Sequence, residues 1–196
     1  MMYKEFVSAK IKDISKEGIV LDVGGGDRFT KWLREYKDFF RNCDYKTMDY
    51  DSSTGADIVG DIHSIPLKDE SVDGIICNAV LEHVNDPIRA VQEMHRVMKR
   101  GGKIFIYVPS IYPYHARKGH YPDMWRFFDD SINFLCKDFS SIEICKLGGY
   151  FKAMSYFLPF QHKFQWLLVP LTTFLDSFIN TGKRNTTAGY YIYAVK

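Results

Sequence analysis

Short apolar runs alternate with stretches of helical periodicity along most of the chain. The apolar runs predict buried strands, and the periodic stretches predict amphipathic helices that cover them. Strands are predicted at residues 18–23, 45–48, 56–59, 72–77, 103–108, 141–147 and 189–195. Helices are predicted at residues 3–16, 29–40, 88–98 and 129–137. Continuous apolar strands separated by helices are typical of a parallel sheet with helices on both faces.

The order of these elements predicts an α/β fold with a doubly wound, mainly parallel seven-stranded sheet whose last strands form an antiparallel edge. Local signals agree with the helix that precedes the fifth strand. Pro87 follows Asp86, a pair that favours the first turn of a helix, and Gly101-Gly102 is expected to stop that helix. The length of 196 residues suits one domain, and we expect a single domain over residues 1–196.

Composition narrows the range of partners. Lys and Arg total 26 against 24 Asp and Glu, so the net charge is +2 and no broad basic field is present to hold a nucleic-acid backbone. The first residues lack the apolar core of a signal peptide, which predicts a cytoplasmic protein. Aromatic residues make up 16% of the chain, and 22 of the 31 follow residue 104. The second half is therefore expected to contact something flat or apolar.

A glycine loop stands between the first strand and the following helix. Gly24, Gly25 and Gly26 allow the backbone to turn tightly and to approach a ligand closely. The dinucleotide pattern G-x-G-x-x-G is incomplete, because Phe29 stands where the third glycine would be. Asp22 precedes the loop, and a carboxylate there disfavours a diphosphate. The sequence therefore predicts a ligand with an ammonium or sulfonium group near this loop.

Carboxylates also stand at the ends of the next two strands. Asp49 ends the second strand, where an acid in nucleotide-binding α/β folds reaches a ribose diol, and Asp51 is a near alternative. Asp61 follows the third strand and is placed to accept from an adenine amino group, with Ile62 against the adenine face. Each acid alone could be a solvated loop residue. Three acids at three successive strand ends predict a nucleotide-type site on one rim.

These motifs together resemble class I S-adenosylmethionine-dependent methyltransferases. The resemblance rests on the runs V-L-D-V-G-G-G, M-D-Y-D, A-D-I-V-G-D-I, D-G-I-I-C-N-A-V-L-E-H-V and R-V-M-K-R-G-G-K-I, in family order between residues 20 and 109. They are most similar to the small-molecule branch that includes the ubiquinone- and menaquinone-type enzymes. One departure is G-G-G-D where many members have G-x-G-x-G. The resemblance implies a Rossmann-like fold, S-adenosylmethionine as cofactor and methyl transfer to a small molecule.

The resemblance also implies which residues hold the cofactor. They would be Asp22, Gly24, Gly25, Gly26, Asp49, Asp61, Ile62, Asn78 and His83. Asp22 and the glycines would surround the methionine moiety, and Asn78 with the segment Leu81-Glu82-His83 would line the methionine side and the mouth of the site. Residues 1–109 would form the cofactor-binding half, and residues 110–196 the acceptor-side half.

Residues 110–128, directly after the fifth strand, are predicted to form a lid. They contain six aromatic residues, two histidines and three basic residues in 19 positions, and so long and aromatic a loop is more often functional than not. His115 and His120 are the candidate catalytic residues, because either is able to take a proton from a hydroxyl acceptor. They could equally only hydrogen-bond within an ordered loop. Asp123 and Arg126 are expected to form an internal ion pair that shapes the lid.

The acceptor is suggested by the composition of this lid. Its run Y-P-D-M-W-R-F-F resembles the P-x-D-Y-W-R-F-T segment of a methyltransferase subgroup linked to cell-surface glycan or lipid-linked sugar biosynthesis, with Phe128 in place of the usual Thr. The basic trio Arg117, Lys118 and Arg126 favours an acceptor with an anionic head, such as a phosphate, and an apolar body. The resulting hypothesis is O-methylation of a glycan- or lipid-type intermediate at or near the inner membrane face.

Residues 151–180 have two interpretations. They hold only three charges, Lys152, Lys163 and Asp176, and their apolar run is interrupted by Pro170 and too short to span a membrane. The favoured interpretation is a helical insertion packed on the sheet between the last two strands. The alternative is a hydrophobic wall for an apolar acceptor, or a surface that rests on a membrane.

No metal is expected from the sequence. A catechol-type magnesium site requires carboxylates at the positions of Asn78 and Ala79. In addition, no third ligand stands at metal-binding spacing from Glu82 and His83 in the sequence. His83 lies near where the methyl group would be, although a structural role in closing the cofactor pocket is favoured. The absence of two prolines after Asn78 also argues against a nucleic-acid methyltransferase.

Two other classes of function were weighed. An NAD-dependent oxidoreductase is disfavoured, because it predicts a complete glycine pattern and no acid at position 22. An S-adenosylmethionine-binding module without catalysis stays open, because class I enzymes need no invariant base. The sequence does not indicate an oligomeric state.

Overall fold

The computed structural model describes residues 3–16, 18–30, 32–159, 161–181 and 185–196. Seven strands form one sheet: β1 (Ile19–Val23), β2 (Asp44–Asp49), β3 (Ile58–Val59), β4 (Val72–Asn78), β5 (Met98–Pro109), β6 (Ser141–Lys146) and β7 (Gly189–Val195). The strand order is β3-β2-β1-β4-β5-β7-β6, and all neighbours are parallel except that β7 runs antiparallel to both β5 and β6. The predicted seven-stranded, Rossmann-like α/β fold is confirmed. Its antiparallel strand β7 lies one place inside the edge, and β6 forms the edge itself.

Helices connect the strands and cover the sheet. The α-helices are α1 (Tyr3–Ile14), α2 (Pro87–Val97), α3 (Asp129–Leu135), α4 (Tyr150–Ser155) and α5 (Gln165–Phe178). Four further segments are 3₁₀ helices: Trp32–Asn42, Ser52–Thr54, Leu81–His83 and Gln161–Phe164. None of the described helices combines the length and apolarity that crossing a membrane requires.

Each face of the sheet has its own apolar core, because successive side chains of a strand point to opposite sides. Val20 and Phe105 pack with α1 and the 3₁₀ helix Trp32–Asn42. The adjacent Leu21 and Ile104 pack on the other face, with α2 and α3. All four strand residues are almost completely buried, so the central strands are covered on both faces as the continuous apolar runs predicted.

Two local predictions were wrong. The segment predicted as a helix at 29–40 is a 3₁₀ helix over Trp32–Asn42, and Phe29 itself has a left-handed backbone with φ of 54° that keeps it out of the helix (Lys31 lies outside the described residues). Gly101-Gly102 does not stop the helix before it. That helix ends at Val97, and β5 begins immediately at Met98. The predicted N-cap is confirmed, since the Asp86 carboxylate accepts from the Arg89 N–H at 2.9 Å.

Helix α5 presents its apolar side to solvent. Its buried residues are polar, Thr172 and Asp176, whereas the side chains of Trp166, Phe174 and Phe178 are 76%, 63% and 78% exposed. The favoured interpretation of residues 151–180, an insertion whose apolar residues pack on the sheet, is therefore wrong for these side chains (Phe160 lies outside the described residues). The helical periodicity correctly predicted an apolar face but not the direction in which it points.

A buried carboxylate attaches α5 to the rest of the fold. Asp176 accepts from the backbone N–H groups of Gly149, Phe151 and Lys152 at 2.9, 2.9 and 3.1 Å, and from the Thr181 hydroxyl at 2.5 Å. It thereby satisfies N–H groups at the start of α4 that have no partner within that helix. The polar side of α5 is thus its attachment side, which leaves the apolar side outward.

Candidate functional site

The carboxyl ends of the parallel strands bring three of the predicted cofactor residues to one rim. Val23, the last residue of β1, is in register with Met48 of β2, so Gly24 emerges beside Asp49. The Gly24 N–H donates to the Met48 carbonyl at 2.7 Å. Asn78 ends β4, the neighbour of β1 on its other side. Residues from three separate parts of the sequence therefore meet at the edge where such sheets bind ligands.

The glycine loop fits closely against its surroundings. Gly24 and Gly26 have left-handed backbones, with φ of 73° and 61°. A Cβ atom on Gly24 would lie 2.4 Å from Cγ2 of Val80, and one on Gly25 would lie 2.4 Å from Oδ2 of Asp22. A side chain cannot be accommodated at such distances, so both positions require glycine.

Asp22 lies beneath this loop. It is 5% exposed, and the Tyr45 hydroxyl donates to its Oδ2 at 2.6 Å. Burial, together with the neighbouring Asp22 charge, raises the pKa of Tyr45 well above its ordinary value, which keeps the hydroxyl a donor. The ring of Phe29 stacks on Tyr45 at 4.4 Å between centroids. The support of Asp22 by Tyr45 could not be found from the sequence, because the pairing depends on β2 lying beside β1.

The two acids after β2 have different environments. Asp51 caps the 3₁₀ helix Ser52–Thr54, with its Oδ1 accepting from the Ser53 N–H and hydroxyl at 2.8 and 2.7 Å. The hydroxyl of Ser53, then its N–H, hold the pKa of Asp51 below its ordinary value, and the charge of His120 adds to this effect. Asp49 is half-buried, and its Oδ1 accepts from the Asp51 N–H at 3.1 Å. Because Asp51 is engaged as a cap, Asp49 is the better candidate for a diol ligand.

Asp61 and Ile62, which follow β3, differ in exposure. Asp61 is exposed, and its Oδ1 accepts from the His63 N–H at 2.8 Å and lies 2.6 Å from Nδ1 of the same histidine. The His63 N–H, the largest cause, holds the pKa of Asp61 below its ordinary value. Ile62 is 7% exposed and belongs to the core, so little of its side chain is offered to a ligand.

The lid, residues 110–128, is anchored on the segment that follows β4. The Trp125 indole N–H donates to the Val84 carbonyl at 2.8 Å, and the N–H groups of Met124 and Trp125 both donate to the Glu82 carbonyl, at 2.8 and 3.2 Å. These contacts attach the lid to the first half of the chain. An open cavity of about 550 Å³ is lined entirely by lid residues, Tyr114 and 116–122.

The predicted ion pair inside the lid is confirmed. Arg126 donates to both carboxylate oxygens of Asp123, at 2.5 and 2.7 Å, and to the carbonyls of Tyr112 and Pro113 at 3.1 and 3.0 Å. The guanidinium, as the largest cause, holds the pKa of Asp123 at about 2. Arg126 is thus committed within the lid and is not available to an anionic head group. Of the basic trio, the exposed Arg117 and Lys118 remain.

The two candidate catalytic histidines face different parts of the site. The Nδ1 atom of His115 lies 3.2 Å from Oδ2 of Asp123, and its Nε2 lies 3.7 Å from Oε1 of Glu82. His120 is exposed, and its backbone N–H donates to the Arg117 carbonyl within the lid at 2.9 Å. The structure therefore brings His115, and not His120, to the segment after β4.

Glu82 and His83 join His115 in a cluster of which only Glu82 is fully buried. Glu82 is 1% exposed, and its burial raises its pKa to about 7. The Nδ1 atom of His83 lies 2.5 Å from the Pro122 carbonyl, and its Nε2 lies 3.7 Å from Oε1 of Glu82. Burial, the largest cause, lowers the pKa of His83. The sequence pointed to Glu82 and His83, but the third member comes from the lid, 32 positions further along the chain than His83.

Known proteins share parts of this sequence and the whole of this fold. Residues 21–106 match the family model described as a methyltransferase domain. A demethylmenaquinone methyltransferase from Renibacterium salmoninarum is 41% identical over 49 residues, which are 25% of this chain and 21% of that protein. The matched segments span only 15% to 41% of the length of the curated relatives.

Solved structures extend the similarity over nearly the whole chain. An S-adenosylmethionine-dependent methyltransferase from Archaeoglobus fulgidus superposes with a TM-score of 0.63 at 15% identity, over 98% of this chain and 94% of that one. Phosphoethanolamine N-methyltransferase 2 from Haemonchus contortus, in complex with S-adenosylmethionine, gives 0.55 at 15% identity over 91% and 48%. The resemblance stated from the sequence is thereby confirmed: residues 21–106 match a methyltransferase domain, and the chain has the fold of S-adenosylmethionine-dependent methyltransferases.

Proposed function

We propose that this chain transfers the methyl group of S-adenosylmethionine to a hydroxyl group of a glycan- or lipid-type acceptor. The observation that carries the proposal is that the glycine loop after β1, Asp49 at the end of β2 and Asp61 after β3 lie along one rim of a methyltransferase fold. The lid is anchored on the segment after β4, at the end of the same sheet, and contributes His115 to the cluster around Glu82. A module that binds the cofactor without catalysis would share the rim but would have no use for that cluster.

The residues at the rim fit S-adenosylmethionine in shape and in charge. Gly24 and Gly25 let the loop pack directly on Val80 and Asp22, and the acid Asp22 beneath the loop suits the cationic methionine end. Asp49 would accept from the ribose hydroxyls, and Asp61 from the adenine amino group, in charge-assisted hydrogen bonds. Ile62 would contribute only the edge of its side chain. The cofactor supplies a reactive methyl group on a positively charged sulfur.

The methionine end of the cofactor would lie toward the residues after β4. Asn78 ends that strand and His83 follows in the next turn, so both are candidates to line this end. His115 is the candidate catalytic residue, because Asp123 fixes its ring from the Nδ1 side and leaves Nε2 directed at Glu82.

His115→Ala is expected to lower turnover at least tenfold while the Kd for S-adenosylhomocysteine stays within about twofold, since removal of a general base typically costs about 10²–10⁴-fold in rate. His120→Ala is expected to leave turnover within about threefold, because its side chain is exposed and does not belong to the cluster around Glu82. Steady-state rates and calorimetry on both variants provide the comparison. Equal losses in turnover and in cofactor affinity for His115→Ala would contradict its assignment to the acceptor side.

An apolar acceptor is supported by the outward face of α5. That face carries Trp166, Phe174 and Phe178, and contiguous exposed apolar surface of this kind marks interaction sites. Among the described residues from 157 to 181, the exposed charged side chain is Lys163, while Asp176 is buried. We therefore propose that this face rests on an anionic membrane surface and brings the site close to a lipid-linked acceptor. Arg117 and Lys118 in the lid would contact the acceptor's anionic head.

Binding to vesicles tests the membrane contact. Trp166→Ala and Phe178→Ala are each expected to weaken co-sedimentation with phosphatidylglycerol-containing vesicles at least tenfold, because each removes roughly 1.5–3 kcal/mol of apolar burial. Phe134→Ala is the matched control, since Phe134 is 52% exposed but lies on α3. Absence of binding to these vesicles, or equal binding by all three variants, would contradict the proposal.

Transfer of labelled methyl groups tests the reaction. The chain is incubated with S-adenosylmethionine carrying a tritiated methyl group and with phospholipid, glycolipid and water-soluble metabolite fractions. We expect label in the lipid or glycolipid fraction, in a form that resists mild alkali as a methyl ether does. Label in the water-soluble fraction alone would contradict the acceptor class. Cofactor binding without transfer to any fraction would favour the non-catalytic module.

A further inference from the structure

We propose that Glu82, His83 and His115 bind a divalent transition-metal ion. Each residue offers one ligand atom, and the three atoms lie within 4.8 Å of one another. The Nε2 atoms of both histidines are 3.7 Å from Oε1 of Glu82, which is too long for a hydrogen bond. Metal–ligand bonds of about 2.0–2.2 Å would place such ligands roughly 3–3.5 Å apart, so only a small contraction is needed.

The contacts of Nδ1 in His83 and His115 determine which ring nitrogen of each histidine carries the proton. The Nδ1 atom of His83 lies 2.5 Å from the Pro122 carbonyl, and Nδ1 of His115 lies 3.2 Å from the Asp123 carboxylate. Both partners are acceptors, so each Nδ1 carries the proton and each Nε2 carries the lone pair. Metal-binding histidines are oriented in this way by a carbonyl or carboxylate on the other ring nitrogen.

Glu82 supplies an independent indication. Its side chain is 1% exposed, and among the described residues no hydrogen-bond partner reaches its Oε2. A buried acceptor without a partner is rare in proteins and calls for an explanation such as a bound ion. The other oxygen, Oε1, faces the Nε2 atoms of both histidines at 3.7 Å. A cation between the three would satisfy all of them at once.

The ligand set indicates the class of ion. Two imidazole nitrogens and one carboxylate suit first-row divalent ions such as zinc, iron, cobalt or manganese, and three protein ligands leave coordination positions open. The expectation that no metal binds rested on the lack of a third ligand near Glu82 and His83, and the lid provides that ligand. An acceptor hydroxyl in an open position would have its pKa lowered by the ion, and His115 would then act on the acceptor as a ligand of the ion rather than as a free base. That role rests on the proposed function, whereas binding of the ion does not.

Cobalt titration tests the site. The full chain is treated with a chelator, dialysed and titrated with Co²⁺ under calorimetry and visible spectroscopy. We expect one equivalent to bind, with the d–d absorption of a nitrogen- and oxygen-ligated ion. Glu82→Gln and His115→Ala are each expected to weaken binding at least tenfold. His95→Ala is the matched control, because His95 is half-buried and packs edge-on against Phe139 in another part of the fold.

S-adenosylhomocysteine titrations of the same samples separate this proposal from the proposed function. Variants that still bind S-adenosylhomocysteine are folded, so a loss of cobalt binding in them supports the site directly. If either of the two variants fails to fold, the other decides the question. Absence of stoichiometric cobalt binding, or binding that persists in Glu82→Gln and His115→Ala, would overturn the metal site. Intact S-adenosylhomocysteine binding in that case would leave the cofactor assignment standing.

Discussion

Asp123→Ala is expected to lower the free energy of unfolding by about 3 kcal/mol. The side chain of Asp123 is completely buried and that of Arg126 is 24% exposed, so the variant would leave a largely buried guanidinium without its counter-ion. Breaking a buried pair from one side typically costs about 3–5 kcal/mol. The His115 N–H would also lose its acceptor, which lies at 2.8 Å. Urea denaturation of the parent and the variant, in the presence of a chelator, measures the difference.

The pair Asp38–Arg41 provides a matched control. It has the same residue types at the same spacing in the chain, but both side chains are 74% exposed. Asp38→Ala is therefore expected to change stability by no more than about 0.5 kcal/mol. Similar small effects of both substitutions would contradict the view that the lid is held by its internal pair.

The same pair predicts a dependence on pH. The folded-state pKa of Asp123 is about 2, below its ordinary value of 3.8. A group with a depressed folded pKa stabilises the fold above its unfolded pKa and loses this contribution as the pH falls through the folded value. The stability difference between parent and Asp123→Ala should therefore narrow by roughly 2 kcal/mol between pH 5 and pH 2. A difference that stays constant over this range would contradict the pKa shift.

Asp49→Ala is expected to weaken binding of S-adenosylhomocysteine by 1–3 kcal/mol, or roughly five- to 150-fold, because charge-assisted hydrogen bonds to the ribose would be lost. Asp51→Ala should have a smaller effect, since Asp51 is engaged as a cap by Ser53. Calorimetric titration of both variants distinguishes the two acids.

Asp44→Ala controls for general effects on β2. Asp44 begins the strand that Asp49 ends and is exposed, so its loss should leave the affinity for S-adenosylhomocysteine within about twofold. If Asp49→Ala binds as tightly as the parent, the assignment of the ribose to Asp49 is wrong.

The strand ends that form the proposed cofactor rim could be predicted from the sequence because their signals are local. Strand alternation, a glycine run and acids placed directly after apolar strands all lie within short windows. Parallel strands bring their ends to one edge whatever the details of packing. Asp49 and Gly24 could thus be placed side by side before the structure was known. The helix predicted at residues 29–40 was less well predicted. Phe29 has a left-handed backbone, which a glycine would have signalled in the sequence but a phenylalanine does not.

Contacts between distant segments could not be predicted. His115 joins Glu82 only because Trp125 and its neighbours anchor the lid on the segment after β4. Asp176 was one of three charges in an apolar stretch, and its role as the attachment of α5 depends on where Gly149 lies. Periodicity shows that a helix has an apolar face, but whether that face packs inward depends on such tertiary contacts.

The central claim is that the rim of this sheet binds S-adenosylmethionine, and calorimetric titration of the purified chain with S-adenosylhomocysteine and with NAD tests it most directly. We predict micromolar binding of one equivalent of S-adenosylhomocysteine, weakened in Asp49→Ala, and no measurable binding of NAD because the glycine loop lacks the third glycine of a diphosphate site. A folded chain that fails to bind S-adenosylhomocysteine, or that binds NAD at least as tightly, would contradict the account.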